Sequence, residues 1–574
     1  MRPFGRAAAA GVVLLALLGA LLVVDHQRLD SATMDEPFHA LAGCEYALSG
    51  TYWANLEHPP LAKLLAGVSA GLAGARPPRL PAPFSFRTAE SPQPFLYRNE
   101  IPPEQILAAA RRPFPLLFTG VVLLASLAAW RAAGPVAGLG AALLLAFEPT
   151  LVAHAAFVHT DVAAALGFLA TVVAAHRALM RPSPLRWAGA GLLLGLALSA
   201  KFTAVFLVPI LLVLVLARLL VSLRKTGRFS LAPLGGLLLA SGLAGAVLLG
   251  VYAVSMRHMP SAEAERSVRY FLAGRLASSG TVERVARISR LLPSAGHYAA
   301  GLAGVAEQNR RGGGINVFRR EVSIEGFPLY FPVAFLVKSS LGFLGALLVA
   351  AGLVAARRVR PGFGALVFLL PPAYVFLASV ASSYNIGVRH VLPAVPFLAV
   401  ASAVAIVRGF PRNVGVAVLA GLGLLQAGET LAVHPHEISF FNLAAGGPSR
   451  GHLWLNDSNL DWGQDLVRLA RELQRRGDEA GTTVAYFGGA DPTHDLPKAR
   501  LFDAATTPLT PGLYAVSSFL LAAGPELMAL RGDAGRAAGY ARLRSVLSER
   551  GIPEGRVGYS ILLYRLPEER TPPP

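Results

Sequence analysis

Two neighbouring carboxylic acids, Asp35 and Glu36, follow the first apolar segment of the chain. Carboxylates close to a bilayer are costly to remove from water, so they normally face solvent or a polar site. A second polar cluster, which contains Glu57, His58 and Lys63, follows in the same stretch. Together the two clusters predict an acid–base or ion-binding centre that rests on a membrane surface.

Other polar residues stand where later apolar segments meet the same surface. Asp161 lies at the outer end of the fourth predicted span, and Arg389 and His390 lie in a short outer loop before the tenth. Lys201 interrupts a long apolar stretch and makes the fifth predicted span short. The topology therefore predicts that acidic and basic side chains converge on one face of the membrane.

Such a set of residues suits group transfer from a phosphate. A carboxylate beside an outward-facing cleft can take the proton of an acceptor hydroxyl as that hydroxyl attacks. A nearby cation can neutralise the charge that develops on a phosphate leaving group. Lys63, Lys201 and Arg389 are the candidates for this second role. A sugar carried on a lipid phosphate combines both features near a bilayer.

Each of these residues also has a plainer interpretation. Asp35 and Glu36 would suit the first turn of a solvated helix, and Asp161 would suit a helix cap. His58 precedes two prolines and would fit a rigid surface turn. Lys201 would fit a side chain that extends to the interface, and Arg389 with His390 would fit contacts to lipid headgroups.

The composition identifies an integral membrane protein. Of 574 residues, 54% are hydrophobic and 15% are charged, whereas soluble domains have about 25% charged residues. Apolar stretches of about 20 residues recur, and each is long enough to cross a bilayer. We predict about eleven membrane-spanning helices. The predicted spans are 7–24, 113–131, 135–153, 161–178, 187–200, 203–221, 231–254, 332–355, 363–381, 391–408 and 413–432.

The distribution of charge gives an orientation and excludes one class of partner. The net charge of +18 is concentrated in short gaps between the predicted spans, such as those at Arg177, Arg357 and Arg408. This is the positive-inside pattern, which places those gaps in the cytoplasm and argues against binding to nucleic acid. Cys44 is the only cysteine, so the chain forms no intrachain disulfide and no cysteine metal cage.

This orientation leaves three regions outside the cytoplasm. Residues 1–433 are predicted to form a membrane domain with large outer loops at about 25–112 and 255–331. Residues 434–574 alternate short strand-like and helical patterns, which predicts a small soluble α/β domain outside the cytoplasm.

The motifs resemble those of lipid-carrier-dependent GT-C glycosyltransferases of the family 39 type. This group includes protein O-mannosyltransferases and aminoarabinose transferases, and the chain looks like a bacterial branch of it. The resemblance starts with Asp35-Glu36 and the stretch from His58 to Lys63. Further motifs that carry it are 199–204, 330–338, 385–393, 434–442 and 457–465.

The resemblance implies a GT-C fold and an inverting transferase that uses a polyprenyl- or dolichyl-phosphate sugar. By position, Asp35 matches the catalytic base, Glu36 its partner, and Asp161 the acidic residue of the second outer loop. Some relatives bind a divalent metal ion through such acids, which would make Glu57 and Asp161 metal ligands here. The residues expected to bind substrate are His58, Lys63, Lys201, Arg389 and His390.

The carboxyl-terminal region departs from the eukaryotic mannosyltransferases, because it has no evident trefoil-like pattern. The resemblance therefore does not identify the acceptor. A protein hydroxyl, a lipid and an envelope glycan are all compatible with it. Asp461 and Trp462 would suit hydrogen bonding and stacking with a sugar, although a turn and a helix cap would use the same residues.

We predict a multi-pass glycosyltransferase of the bacterial inner membrane, with its active site on the periplasmic or exterior side and membrane lipids around it. The alternative is a transporter or flippase of a lipid-linked sugar. A transporter would be expected to carry ionisable residues near the midplane and broken helices in two matching halves. Glu148 and Lys338 are the two residues that fit that alternative best.

Overall fold

The computed structural model describes residues 3–78, 93–227, 231–275 and 277–568. Its mainly helical architecture confirms the predicted fold class. The helices up to the end of the seventh predicted span are α1 Pro3–Leu29, α2 Glu36–Cys44, α3 Leu61–Leu72, α4 Gln93–Tyr97, α5 Pro103–Arg111, α6 Pro113–Ala133, α7 Pro135–Ala146, α8 Pro149–Ala155, α9 Asp161–Met180, α10 Pro184–Ala200, α11 Leu207–Thr226 and α12 Ala232–Ser255. The later helices are α13 Ser261–Gly274, α14 Ser279–Leu291, α15 Pro293–Arg310, α16 Tyr330–Lys338, α17 Leu341–Ala355, α18 Phe363–Val380, α19 Val395–Gly409, α20 Arg412–Val433, α21 Leu466–Arg476, α22 Pro492–Asp495, α23 Ser518–Leu530 and α24 Ala534–Arg550.

Eight helices among the described residues are long and apolar enough to cross a membrane. Two bent pairs, α7 with α8 and α16 with α17, raise the total to at most ten. The remaining predicted span coincides with α10, which has only 17 residues before Lys201 adopts an extended conformation. The chain is therefore a multi-pass membrane protein, and the count of about eleven spans stays a prediction.

The two bent pairs differ from the straight spans predicted over 135–153 and 332–355. The bend is 61° between α7 and α8 and 112° between α16 and α17. In each case a side chain caps the second helix. Glu148 accepts a hydrogen bond from the Leu151 amide (2.5 Å), and Ser340 accepts one from the Phe343 amide (3.0 Å). These caps begin a new helix inside an apolar stretch, which hydrophobicity alone does not reveal.

The first outer loop is a packed helical layer rather than an open segment. Helices α2 to α5 form it, and residues 79–92 of the predicted loop lie outside the described residues. Two glycines let α2 and α3 touch closely, because a Cβ added to Gly67 would lie 1.9 Å from the Gly43 carbonyl carbon. This contact fixes the position of the residues that follow Asp35 against those that follow His58.

The middle outer loop contains three helices and a short hairpin. Helices α13, α14 and α15 pack around Val268, Leu272 and Ala300. Strands β1 (Asn316–Phe318) and β2 (Glu321–Ser323) pair in antiparallel register.

The carboxyl-terminal region forms a five-stranded mixed sheet with the order β4-β3-β5-β7-β6. Its strands are β3 Thr482–Ala485, β4 Arg500–Leu501, β5 Gly512–Ser517, β6 Ile552–Val557 and β7 Ile561–Leu566. The segment before the sheet packs on the first outer loop, where the Ser31 amide donates to the Gln464 carbonyl and the Met34 amide to the Trp462 carbonyl (both 2.9 Å). The domain boundary at residue 434 stays a prediction, and residues 569–574 lie outside the described part.

Candidate active site

Asp35 occupies the position immediately before α2 and faces a cluster of basic side chains. Its side chain is 42% exposed, and Oδ2 lies 3.6 Å from His159 Nε2 and 3.5 Å from Arg389 Nη2. Burial acts to raise the pKa of Asp35, but His159 and Arg389 together outweigh it and lower the pKa. Asp35 is therefore an accessible, ionised carboxylate at neutral pH.

Glu36 points away from Asp35 into the protein. Arg111 donates to both of its carboxylate oxygens, at 2.8 Å from Nε and 2.6 Å from Nη2. The amides of Val158 and Thr33 donate to the same oxygens, at 3.0 and 3.3 Å. The predicted catalytic role of Glu36 is thus corrected to a positioning role, because its buried carboxylate has no face left for a substrate.

Asp161 is buried in the first turn of α9, beside Asp35. One carboxylate oxygen contacts Lys201 Nζ, and the other contacts His159 Nδ1. Arg389 Nη1 lies 3.7 Å from the same carboxylate. Three basic side chains therefore surround one carboxylate, so Asp161 acts as their common anchor.

Arg389 is the centre of this arrangement. Its Nη1 lies 2.6 Å from His159 Nε2, and its guanidinium stacks on the Trp462 ring at 4.4 Å from the centroid. The two carboxylates of Asp35 and Asp161 flank it. The structure thus brings together Asp35, Asp161 and Arg389, which are far apart in the sequence.

A small polar cavity of about 50 Å³ opens in front of this cluster. Its lining residues are Asp35, His39, Asn55, Glu57, His58, His159, Lys201, Tyr384, Ile386, Arg389 and His390. Burial and neighbouring cations lower the pKa of both His39 and His58, so both imidazoles are neutral at pH 7. Buried nitrogen atoms of His39, His58 and His390 have no hydrogen-bond partner, which marks a place where a polar ligand would be satisfied.

A larger apolar groove of about 320 Å³ adjoins the polar cavity. Its walls come from α13, α15 and the beginning of the sixth predicted span, and include Phe202, Phe206 and Phe271. The two cavities share the residues Glu57, His58, Lys201, Tyr384 and His390. The polar cavity and the apolar groove therefore meet at a wall that carries Lys201.

Lys63 holds the loop that carries His58 and does not line either cavity. Its Nζ donates to the carbonyls of Asn55 (2.9 Å) and His58 (2.7 Å) and to the Tyr46 hydroxyl (3.1 Å). The expected contact between Lys63 and substrate is corrected to a positioning role, because all three ammonium hydrogens are already donated.

Asp461 and Trp462 also pack behind the site, and neither lines the polar cavity. Asp461 accepts a hydrogen bond from the Phe519 amide (2.9 Å), and burial raises its pKa to about 8. The Trp462 ring is fully buried between Arg389 and His159, with its centroid 5.1 Å from the imidazole. The predicted contacts of these two residues with a sugar are corrected accordingly, because neither side chain lines the polar cavity or the apolar groove.

The residues proposed as metal ligands are already paired with cations. Glu57 forms an ion pair with Arg275, and Asp161 contacts Lys201. Among the described residues, no group of three His, Cys, Asp or Glu side chains is arranged to hold a metal ion. The donor set at Glu57 and Asp161 therefore does not fit a divalent metal, because each carboxylate charge is neutralised by a side chain.

The sequence reasoning missed four residues of the site. His159 is two positions before Asp161, and His39 is four positions after Asp35. Both lie within four residues of a carboxylate of the site, so their proximity to the acids is a usable signal. Tyr384 lies five residues before Arg389 in the same short outer loop, whereas Arg275 comes from the middle outer loop, where nothing in the local sequence points to it.

A family model described as dolichyl-phosphate-mannose-protein mannosyltransferase matches residues 109–244. This match confirms, for that segment, the resemblance to lipid-carrier-dependent GT-C glycosyltransferases. The segment contains Asp161 and Lys201, whereas Asp35 and Arg389 lie outside it. The assignment to a bacterial branch stays a prediction. No curated protein matches the sequence significantly.

Several solved membrane transferases resemble the structure at low identity. The S. cerevisiae protein O-mannosyltransferase Pmt1-Pmt2 complex, bound to the sugar donor, has 20% identity and a TM-score of 0.36, and covers 44% of this chain and 34% of its own. The apo Archaeoglobus fulgidus oligosaccharyltransferase has 12% identity and a TM-score of 0.47, with coverage of 98% and 75%. ArnT from Cupriavidus metallidurans, bound to undecaprenyl phosphate, has 15% identity and a TM-score of 0.30, with coverage of 98% and 98%. This chain thus spans about a third of the length of the yeast chain, and its activity has to be argued from its own residues.

Proposed function

We propose that the chain is an inverting glycosyltransferase that moves a monosaccharide from a polyprenyl-phosphate carrier to an acceptor outside the cytoplasm. The observation that carries this proposal is the half-exposed Asp35 carboxylate. It lies 3.5 Å from Arg389, in a polar cavity that adjoins an apolar groove. The proposal agrees with the family match over residues 109–244.

The donor would use both cavities. Its isoprenoid chain fits the apolar groove, where Phe202 and Phe271 offer hydrophobic contact. Its phosphate would lie where the two cavities meet, between Lys201 on the shared wall as a point charge and the planar guanidinium of Arg389 in the polar cavity. The sugar would then lie toward Asp35. The polar cavity has room for only a few water molecules, so the sugar can enter only when the Glu57–Arg275 pair or Tyr384 moves.

The reaction would be a single displacement at the anomeric carbon. The acceptor oxygen attacks the face opposite the phosphate, and the bond between the anomeric carbon and the phosphate oxygen breaks. The electron pair leaves with the phosphate, whose charge Lys201 and Arg389 neutralise. Asp35 takes the acceptor proton. A carboxylate of lowered pKa is sufficient for this step, because the hydroxyl becomes acidic as its oxygen bonds to carbon.

We place the protein in the bacterial inner membrane, with the site facing the exterior. Basic residues in the gaps after the fourth and tenth predicted spans support this orientation, and Asp161 and Arg389 lie at the opposite ends of those two spans. The acceptor is a protein hydroxyl, a lipid or an envelope glycan.

The test is transfer by the purified protein in detergent from a polyprenyl-phosphate donor with a radiolabelled sugar, with envelope protein, lipid and glycan fractions supplied as acceptors. We expect release of the labelled sugar from the lipid by the wild type and almost none by Asp35→Asn. A folded Asp35→Asn protein with full activity would rule out the role of Asp35. Absence of any release by the wild type, across donors with hexose and pentose headgroups, would rule out the proposed activity.

A lipid-linked sugar transporter is the second candidate, and the two broken spans favour it. Glu148 and Lys338 are buried at these breaks, as in transporters with discontinuous helices. However, Lys338 donates to two backbone carbonyls and Glu148 caps α8, so both have partners within the protein. Translocation of labelled donor across proteoliposomes without cleavage of the sugar would favour the transporter.

A further inference from the structure

Two sequence motifs that are distant in the chain pack directly on each other behind the active site. One is the loop that carries Arg389, and the other is residues 456–462, which we call the clamp segment. Ser458 Oγ accepts a hydrogen bond from Arg389 Nε (3.1 Å) and donates one to the Ile386 carbonyl (2.6 Å). Gly387 permits this approach, because an added Cβ would lie 2.2 Å from Ser458 Oγ.

Two more residues of the clamp segment hold the same loop. Asn459 Oδ1 accepts from the Val388 amide (2.9 Å), and Asn459 Nδ2 donates to the Tyr330 hydroxyl (2.8 Å). The Trp462 ring lies under the Arg389 guanidinium. The backbone before Arg389, its Nε and the face of its guanidinium are therefore all fixed by one short segment.

A buried lysine in turn fixes the clamp segment. Lys338 ends α16 at the 112° bend between α16 and α17, and its Nζ donates to the Asn459 and Ile438 carbonyls (both 2.7 Å). The Phe441 ring lies 4.6 Å from the same ammonium. A buried charge is retained only where its partners satisfy it, so this ammonium locks the clamp segment to α16.

We propose that the clamp segment is part of the active centre: it positions the Arg389 guanidinium against Asp35 and Asp161, and Lys338 is a positioning residue that holds the clamp segment. The proposal rests on the proposed transfer reaction, in which Arg389 meets the phosphate as charge develops. It also gives a function to the 457–465 motif, whose residues line neither the polar cavity nor the apolar groove. A displaced guanidinium would weaken transition-state stabilisation more than donor binding.

The test compares two buried serines of the carboxyl-terminal region in the full-length protein. Ser458→Ala removes the hydroxyl on Arg389, whereas Ser560→Ala removes a hydroxyl that donates to Asp465 (2.7 Å). We expect Ser458→Ala to lower kcat about tenfold with little change in the KM for the donor, and Ser560→Ala to change kcat less than twofold. Equal kcat values for the two variants would overturn the proposal.

A double-variant cycle separates positioning from general destabilisation. Lys lacks the Nε donor, so in an Arg389→Lys background Ser458→Ala should have no further effect on kcat. Independent, multiplying losses would overturn the link through Arg389. If Ser458→Ala does not fold, Tyr330→Phe removes a single hydroxyl that Asn459 uses and should lower kcat in the same way.

Lys338→Met tests the outer part of the same chain of contacts, because it keeps the aliphatic stem and removes the ammonium. We expect a kcat loss larger than that of Ser458→Ala, together with a lower unfolding temperature. A folded variant with wild-type kcat would overturn the role of Lys338. These results are distinct from a failure of the proposed function, in which Asp35→Asn itself would keep full transfer activity.

Discussion

Two clusters of charged side chains in this protein differ in their access to solvent. The first carries the proposed transfer chemistry; we call it the catalytic cluster, and it consists of Asp35, His159, Asp161, Lys201 and Arg389. The junction cluster joins α1 to the carboxyl-terminal region and consists of His26, Asp30, Glu437, Asp465 and Arg468. In the junction cluster all three carboxylate side chains are fully buried, whereas the Asp35 side chain is 42% exposed.

The difference shows how similar residues serve chemistry in one place and assembly in another. In the catalytic cluster one carboxylate is left free to reach a substrate, while Asp161 holds the cations in place. In the junction cluster Arg468 bridges Asp30 and Asp465, so the charges satisfy one another across two regions of the chain. The proposed transfer reaction therefore depends less on the number of charges than on which carboxylate side chain is exposed to solvent.

The largest expected effect is the loss of activity in Asp35→Asn. General-base catalysis typically contributes between about 10²- and 10⁴-fold, and we expect a kcat loss of about 10³-fold. The amide retains the size of the side chain and stays half-exposed, so the unfolding temperature should change little. Single-turnover assays with labelled donor measure the loss, and Asp465→Asn serves as the control from the junction cluster. Equal losses for the two variants would remove the distinction between the clusters.

The neighbouring residue should respond in the opposite way. Glu36→Gln leaves the buried Arg111 without its carboxylate, and breaking such a pair costs about 3 kcal/mol or more. We therefore expect a lower unfolding temperature and a lower yield of folded protein, while the folded fraction keeps most of its kcat. Normal stability with activity lost would instead restore a catalytic role for Glu36.

This pair of neighbours also shows what the sequence can and cannot predict. The positive-inside pattern and the apolar periodicity predicted that Asp35, Asp161 and Arg389 share one face, and the structure brings them together. The sequence did not predict that Glu36 turns inward, because the residue that captures it, Arg111, lies in α5. Partners that come from distant parts of the chain decide the direction of a side chain. The sequence around Glu36 does not reveal such partners.

The same limit applies to the membrane helices and to the clamp segment. Hydrophobicity located the apolar segments, but the caps at Glu148 and Ser340 break two of them where the composition stays apolar. The resemblance singled out residues 457–465, but Asp461 and Trp462 support the site instead of binding a sugar. Their type suited both roles, and only burial distinguishes them.

Because of the junction cluster, the free energy of unfolding of the protein should depend on pH. Burial raises the pKa of Asp465 from its ordinary value of 3.8 to about 6. Between these values the folded state holds a proton that the unfolded state has lost, so stability falls as the pH rises. The unfolding free energy of the wild type minus that of Asp465→Asn should therefore decrease from about pH 4 to about pH 6. Denaturant titrations at several pH values measure this difference, and a flat difference would contradict the assignment.

The smallest expected effect concerns metal removal. Arg275 pairs with Glu57 and Lys201 contacts Asp161, so these side chains already supply the positive charge that a divalent ion would bring to the two carboxylates. We expect prolonged treatment with a chelator, followed by assay in metal-free buffer, to change kcat less than twofold.

Arg275→Met is the informative companion, because it frees Glu57 and would create a carboxylate that a metal could use. If the wild type loses activity on chelation and regains it with added metal, Glu57 must leave Arg275 during the reaction. The catalytic cluster would then be a metal site in its working state, in contrast to the junction cluster, whose charges stay paired within the protein.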